Sequence, residues 1–251
     1  MSKLKWFLLA LVSGPLTLLL GVLVTLEGIQ GCGKSTAAVA MATEDSKRTE
    51  RLVYSNDHLN FERYRHFDTA VFVEKIVGEE LEDVILLTDE MYQMADSRSS
   101  QTKLNKLWSY FAVQTRKRGV DMYICTHSIE NIDIRLRRAV DIRGSCRYFP
   151  ENPCKKCKCK KCGGKGELPN YELCDECNGV GGTGMVGGQP CERCLGYGKV
   201  GFVKVWFLDR RLRARYDLPI LGNQYWHIFS TKQRIPLAAK LLQGIDTQEI
   251  L

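Results

Sequence analysis

An α/β fold with a parallel central sheet, interrupted by a small module carried in a β-hairpin, is what this sequence predicts, and three observations carry the prediction. Residues 22–36 read as an apolar strand running into G-x-x-x-x-G-K-S from Gly28 to Ser35 and then into a helix rich in alanine. Residues 84–90, Val-Ile-Leu-Leu-Thr-Asp-Glu, are an apolar run ending in two carboxylates, as in a buried parallel strand whose C-terminal end opens onto a site. Eight of the eleven cysteines fall between residues 154 and 194 as four C-x-x-C pairs, flanked by two strand-like stretches.

The first motif is a phosphate-binding loop. Its glycines let backbone N–H groups wrap a phosphate chain, Lys34 reaches the β and γ phosphates, and Ser35 supplies an oxygen to Mg²⁺. The following helix turns its positive end to the nucleotide. Contacts to ATP are expected from Gly28, Gln30, Gly31, Cys32, Gly33, Lys34, Ser35 and Thr36. In the second motif Asp89 is expected to hold Mg²⁺ and its water. Glu90 is placed to orient and deprotonate an attacking water, which favours hydrolysis over phosphoryl transfer to an alcohol.

Along the chain, residues 51–55 read as a second strand, and residues 57–80 are polar apart from an apolar patch at Ala70-Val-Phe-Val. Residues 91–102 form a polar loop containing Asp96-Ser-Arg-Ser-Ser, suited to movement or to reaching a neighbour. Leu104, Leu107, Trp108, Phe111 and Ala112 repeat at three and four, which predicts a helix with Arg116-Lys-Arg118 in its last turn and Gly119 as its cap. Residues 120–127 are the next strand, and Thr126 at its end is the candidate γ-phosphate sensor. Arg135, Arg137 and Arg138 follow; with Arg98 they are the candidates for an arginine supplied to a neighbouring subunit's nucleotide, and Arg135 is selected.

Residues 143–149 and 201–208 both read as strands, so the cysteine segment is expected at the expanded tip of a β-hairpin, where it can project without breaking the core. The expected organisation is an apolar segment at 1–21, an ATPase core at 22–150, a zinc-binding insertion at 151–200, and a continuation of the core at 201–251.

A chain of 251 residues with 44% hydrophobic content can bury one α/β core and still carry such an appendage. Net charge is +7, mild for a nucleic-acid protein, so its distribution matters more than its total. Two basic runs, residues 155–161 and 210–215, are either solvated surface or contacts for a nucleic-acid backbone. Clustered cysteines beside an ATP site point to metal binding in a reducing compartment and away from a disulfide framework. Cys32, Cys125 and Cys146 stand apart; Cys125 reads as core packing, and Cys32 in the loop as oxidation-sensitive.

Residues 6–26 carry no charge, and the apolar stretch 6–20 is interrupted by Ser13-Gly14-Pro15. Once the core strand is set aside about 15 residues remain, short of the roughly 20 that span a bilayer. A membrane-attached segment, a packing element of the fold and a cleaved signal all stay open.

The pairs Cys154/Cys157, Cys159/Cys162, Cys174/Cys177 and Cys191/Cys194 provide eight thiolates, enough for two closed tetrahedral Zn²⁺ sites. C-x-x-C-x-G-x-G recurs at Cys174 and Cys191, with a matching form at Cys159. This repeat resembles the cysteine-rich zinc domain of DnaJ-type co-chaperones over residues 154–198. The resemblance implies one ion on Cys154, Cys157, Cys191 and Cys194 and another on Cys159, Cys162, Cys174 and Cys177. No His-Pro-Asp signature or J-domain helix pair accompanies it, so co-chaperone function is not implied.

The order of phosphate loop, strand with Asp89-Glu90, Ser/Arg loop, helix, strand ending Thr126-His127 and Ile132-Asp-Ile-Arg135 resembles zonular occludens toxin-like and FtsK/HerA-like ATPases, including viral genome-packaging ATPases. That resemblance implies a RecA-like (ASCE-type) P-loop NTPase assembled as a ring, expected to be a hexamer, that hydrolyses ATP to move double-stranded DNA. A capsid or portal protein would be a further partner, and the host cytoplasm, the virion or a membrane reached through the N-terminal segment the location. Other readings stay in play: a filamentous-phage-type assembly or extrusion ATPase at the membrane, a nucleotide kinase, since residues 27–36 resemble the thymidylate kinase start, and a nucleotide-switched zinc adaptor.

Overall fold

The computed structural model of the protein describes residues 21–77, 81–91, 95, 97–99, 102–151, 159–161, 163, 168, 185–186, 189–191 and 200–229. Eight strands form one sheet: β1 (Leu23–Glu27), β2 (Val53–Ser55), β3 (Tyr64–His66), β4 (Ile85–Thr88), β5 (Asp121–Thr126), β6 (Ile142–Glu151), β9 (Val200–Asp209) and β10 (Ala214–Leu221). Their order is β10-β9-β6-β1-β5-β4-β2-β3, parallel from β6 to β3, with β9 and β10 added antiparallel at one edge. A short separate hairpin pairs β7 (Met185–Val186) with β8 (Gln189–Pro190). The α/β fold with a mostly parallel sheet is therefore as the sequence predicts.

One face of the sheet is covered by α1 (Lys34–Thr49), whose alanines Ala37, Ala38, Ala40 and Ala42 are buried in the core layer that this helix forms with β1, β4, β5 and β9. Small side chains let this helix lie close to the strands. Over β1, β5, β4 and β2 the other face is covered by α2 (Thr69–Val77), α3 (Lys103–Gln114) and α4 (Ile134–Ala139). Phe72, stacked on Trp108 and edge-on to Phe111, joins α2 to α3. The helix α2 lies where the sequence shows only an apolar patch; Phe72 and Ile76, four residues apart and both buried, were the helical signal inside it. Beside it, β3 supplies an edge strand that its exposed Arg65 and His66 conceal from any alternation pattern.

In α3 the Thr102 hydroxyl accepts from the Asn105 amide at 3.3 Å, so the helix starts where the periodicity begins. It ends earlier than expected. Gln114 is the last helical residue, and residues 116–118 lie in the turn that follows, because the chain must reverse to enter β5 through the left-handed Gly119 (φ 65°).

Two buried carboxylates hold the entry to β1. Asp121 accepts from the amides of Gly21 and Val22 at 3.1 and 2.7 Å, and Asp141 accepts from the amide of Leu23 at 3.0 Å. Arg51 pairs with Asp121 and, at 3.2 Å, with Asp45 of α1, so a buried cation ties α1, β2 and β5 together.

The expected hairpin is present: β6 and β9 pair antiparallel without interruption from Ile142↔Asp209 to Glu151↔Val200. Both ends of the cysteine segment therefore emerge side by side. Cys154, Cys157, Cys162, Cys174, Cys177 and Cys194 lie outside the described residues, as do residues 1–20; Cys159 is half-buried and Cys191 buried. Among the described residues no helix is long and apolar enough to cross a membrane, and no group of three or more metal-ligating side chains is assembled.

Candidate nucleotide site

The phosphate loop joins the C-terminal end of β1 to the N-terminal end of α1. Gly28, Gly31 and Gly33 take positive φ values of 148°, 76° and 92°, the backbone a phosphate-binding turn requires, and the Cys32 amide closes the turn on the Ile29 carbonyl at 3.2 Å. Gly33 is required twice. Its φ disfavours a side chain, and a Cβ there would lie 2.3 Å from Cγ2 of Val203 on β9. Gly28 is similarly confined: a Cβ would meet the Cys32 thiol at 2.6 Å and the Cys146 carbonyl at 3.1 Å. The loop is thus seated against the β6–β9 hairpin.

Lys34 is buried and its ammonium donates to the carbonyls of Gly28 and Ile29 at 2.9 and 3.1 Å, spanning the loop it serves. The Ser35 hydroxyl donates to Asp89 Oδ2 at 2.6 Å. A hydroxyl and a carboxylate from the two motifs therefore converge, the hard oxygen donors that Mg²⁺ takes, and Ser35 and Asp89 would hold that ion. Thr36 is buried in the first turn of α1, while Gln30 and Gly31 are exposed at the loop tip.

Asp89 is fixed by a residue the sequence reading did not single out. Asn56, just beyond β2, donates from its amide to the Asp89 carbonyl at 2.9 Å and accepts from the Asp89 amide at 2.8 Å. Glu90 follows with φ 49°, and its own amide donates to Asp89 Oδ1 at 2.9 Å. The two carboxylates follow one another at a left-handed turn, and both lie close enough to Asp57 for their charges to act on it.

Asp57 is the second residue missed. It is buried next to Asn56, and burial, then the negative charges of Asp89 and Glu90, push its carboxyl from 3.8 to about 7. The signal was available: Asn56 and Asp57 directly follow a strand, as Asp89 and Glu90 do. Between pH 3.8 and about 7 the folded protein holds this proton more tightly than the unfolded chain, so Asp57 costs stability as pH rises through that window. In EDTA and without nucleotide, Asp57→Asn is expected to be more stable than the parent protein at pH 8, by a margin that narrows at pH 5 and nearly vanishes once pH falls to 3.8, compared by urea midpoints. An equal gain at every pH would place the effect elsewhere.

β5 lies between β1 and β4, which carry the two motifs, so Thr126 at its end stands in the centre of the site, in register with Glu27. Its hydroxyl donates to the Ser128 carbonyl at 2.9 Å. Glu27 accepts from the Ile129 amide at 3.2 Å and from the Ser145 hydroxyl at 3.4 Å, tying the ends of β1, β5 and β6. Arg135 sits at the start of α4, where its side chain donates to Asp133 at 3.0 and 2.9 Å and holds that carboxyl below its ordinary range. Arg98 and Arg138 are exposed, and Arg137 is held by Glu130.

Cys125, completely buried in β5, is core packing, and burial pushes its thiol far up. Cys32 and Cys146, apart in the chain, share one apolar cluster around Gly28; burial and the neighbouring Cys32 raise the Cys146 thiol to about 12.

Residues 24–148 match the family model described as ATPase family associated with various cellular activities (AAA). No curated protein matches the chain. Among solved structures, the N-terminal domain of zonular occludens toxin from Neisseria meningitidis is similar at 13% identity and a TM-score of 0.49, over 84% of this chain and 100% of that one. The genome packaging NTPase B204 from Sulfolobus turreted icosahedral virus 2, in complex with ATP-gammaS, is similar at 13% identity and a TM-score of 0.47, over 80% of this chain and 98% of that one.

Proposed function

We propose that this chain, an AAA-type P-loop ATPase, couples ATP hydrolysis to the movement of DNA, most plausibly in packaging a viral genome. The observation that carries the reading is the seating of the phosphate loop on the hairpin: Gly33 against Val203 and Gly28 against Cys146. A shift of the loop during the hydrolytic cycle is thereby passed to β6 and β9, the strands that carry the cysteine segment. Such a connection suits a motor better than a kinase, whose product is a small molecule.

In this reading Lys34 binds and neutralises the terminal phosphates, Ser35 and Asp89 hold the Mg²⁺ that bridges them, and Glu90 accepts the proton of the attacking water. Thr126 orients the γ phosphate or that water. Self-association into a ring, expected to be a hexamer, is favoured by exposed Tyr110 and Val113 on α3 and Ile134 on α4. Arg135 would then be presented to a neighbour's nucleotide, exchanging its contact with Asp133 for phosphate. The host cytoplasm or the virion is the proposed location. A capsid or portal protein is a proposed partner, and residues 6–20 a proposed membrane contact.

The test is ATP turnover by the purified protein alone, with double-stranded DNA, with single-stranded DNA, and with a panel of nucleoside monophosphates. Turnover stimulated by DNA supports the motor. Transfer of phosphate to a monophosphate would replace it with a kinase, and nucleotide binding with no turnover would replace it with a switch or adaptor.

We also propose that residues 151–200 form a zinc module with two Zn²⁺. Support comes from the four C-x-x-C pairs, from the paired ends at Glu151 and Val200, and from the tight β7–β8 hairpin that leads directly into the buried Cys191. Elemental analysis is expected to give about two zinc ions per chain, a closed Cys₄ shell for each. Chelation should expose the module to proteolysis while ATP affinity changes by less than about threefold, because metal binding and folding are coupled only within it. Loss of ATP affinity in step with zinc would defeat the separation.

A further inference from the structure

Beyond β1 the sheet continues as β6, β9 and β10, and its inner face packs on α1 through Cys146, Val203, Val205 and Phe207. Among the described residues the opposite face has no such cover. The second core layer, formed under α2, α3 and α4, takes no residue from β6, β9 or β10. Register sets Ser145 beside Trp206, Arg147 beside Lys204 and Phe149 beside Phe202, and β10 adds Arg215 and Asp217 next to Leu208 and Trp206.

Aromatic planes and cations alternate on this surface. Phe149 and Phe202 lie parallel, with centroids 5.1 Å apart and planes 10° from coplanar. The Arg147 guanidinium stands 5.3 Å from the Phe149 ring, and the Lys204 ammonium 5.2 Å from Trp206, a ring that remains 41% exposed. Arg143, Arg147, Lys204 and Arg215 share this face with two carboxylates, Asp217, which pairs with Lys204 at 2.8 Å, and Glu27, which accepts from the Ser145 hydroxyl at its edge.

We propose that this face binds single-stranded nucleic acid, with unpaired bases stacking on Trp206 and the adjoining phenylalanines and phosphates lying along Arg147, Lys204 and Arg215. Excess positive charge selects a polyanion. The exposed Trp206 ring, with the half-buried Phe149 and Phe202 beside the cations, selects one whose bases are free to stack, which a duplex does not offer. The inference deepens the motor reading and rests on it, since it names the form of the strand the motor engages. Because β6 and β9 also support the phosphate loop, a strand held here would be connected to the nucleotide site.

The experiment measures binding of a fluorescein-labelled oligothymidylate of about 30 nucleotides, and of a duplex of equal length, to the full chain by anisotropy across a salt series. Wild-type protein should prefer the single strand. Trp206→Ala should weaken that binding by about tenfold, with Trp206→Phe recovering most of it, since a base stacks on any aromatic face. Arg147→Ala should weaken binding and flatten its salt dependence by roughly 0.7 of a log unit per log unit of salt. Basal ATP turnover, measured without nucleic acid, should be unchanged in all three variants and reports that they are folded.

Unaltered single-strand affinity in Trp206→Ala overturns the proposal, as does a duplex bound equally well. Self-association that Trp206→Ala abolishes, with oligothymidylate affinity unmoved, would make the face a contact between copies instead. The motor reading fails separately: single-strand binding that depends on Trp206, with no stimulation of turnover by any nucleic acid, keeps the platform and removes the motor.

Discussion

Glu90→Gln is expected to lower ATP turnover by about 10²- to 10⁴-fold, the usual contribution of a positioned general base. The exchange keeps the size and shape of the side chain and removes its ability to accept a proton. Glu90 is held by its backbone: the left-handed turn at φ 49°, the amide bond to Asp89 Oδ1 at 2.9 Å, and the two bonds between Asn56 and Asp89 all survive the substitution. Binding of a fluorescent ATP analogue should therefore stay within about threefold of wild type while single-turnover hydrolysis collapses. A variant that hydrolyses within about threefold of wild type would remove Glu90 from the chemistry and leave Asp57 as the carboxylate to test.

Arg51→Met is expected to destabilise the fold by about 3–5 kcal/mol, because it strands two buried carboxylates. Arg51 is 6% exposed and donates to Asp45, to Asp121 and to the Gly119 carbonyl at 2.9 Å. Asp121 in turn anchors the amides that start β1. Burial, then repulsion by Asp121, already raises the Asp45 carboxyl against the pull of Arg48 and Arg51. Without the Arg51 cation the Asp45 carboxyl should rise further, and an acid whose folded pKa is raised loses stability as pH increases. The deficit, read from urea midpoints, should thus be larger at pH 8 than at pH 5. A deficit below about 1 kcal/mol at both, the size of an exposed pair, would show that water reaches the site.

How much of this was legible beforehand depends on whether the signal was local. Gly28 to Ser35 and Asp89-Glu90 each combine a strand pattern with a fixed chemical spacing, so the two halves of the nucleotide site could be read separately. Thr126 could be read from the same rule, a polar residue closing an apolar strand. Asn56 and Asp57 obey that rule too, but β2 is only three residues long, and its weak pattern hid what followed it. The helix α2 was hidden for a related reason: its apolar face is completed by Trp108 and Phe111 from α3, which no window of sequence contains.

By itself the sequence determined the strand–loop–helix that cradles phosphate, the acidic strand end, the order of most elements, and the hairpin whose tip carries the cysteine pairs, because each is set by periodicity or spacing within a few residues. Only the tertiary structure decided that Ser35 meets Asp89, that Asn56 fixes the second motif, that Arg51 is buried between two acids, and that Val203 and Cys146 close on the glycines of the phosphate loop. It also decided that Arg147, Lys204 and Trp206 share one face, left without cover by the described residues. Those contacts join residues far apart in the chain, and they depend on strand order and register, which are settled when the whole sheet packs and not by any stretch of sequence alone.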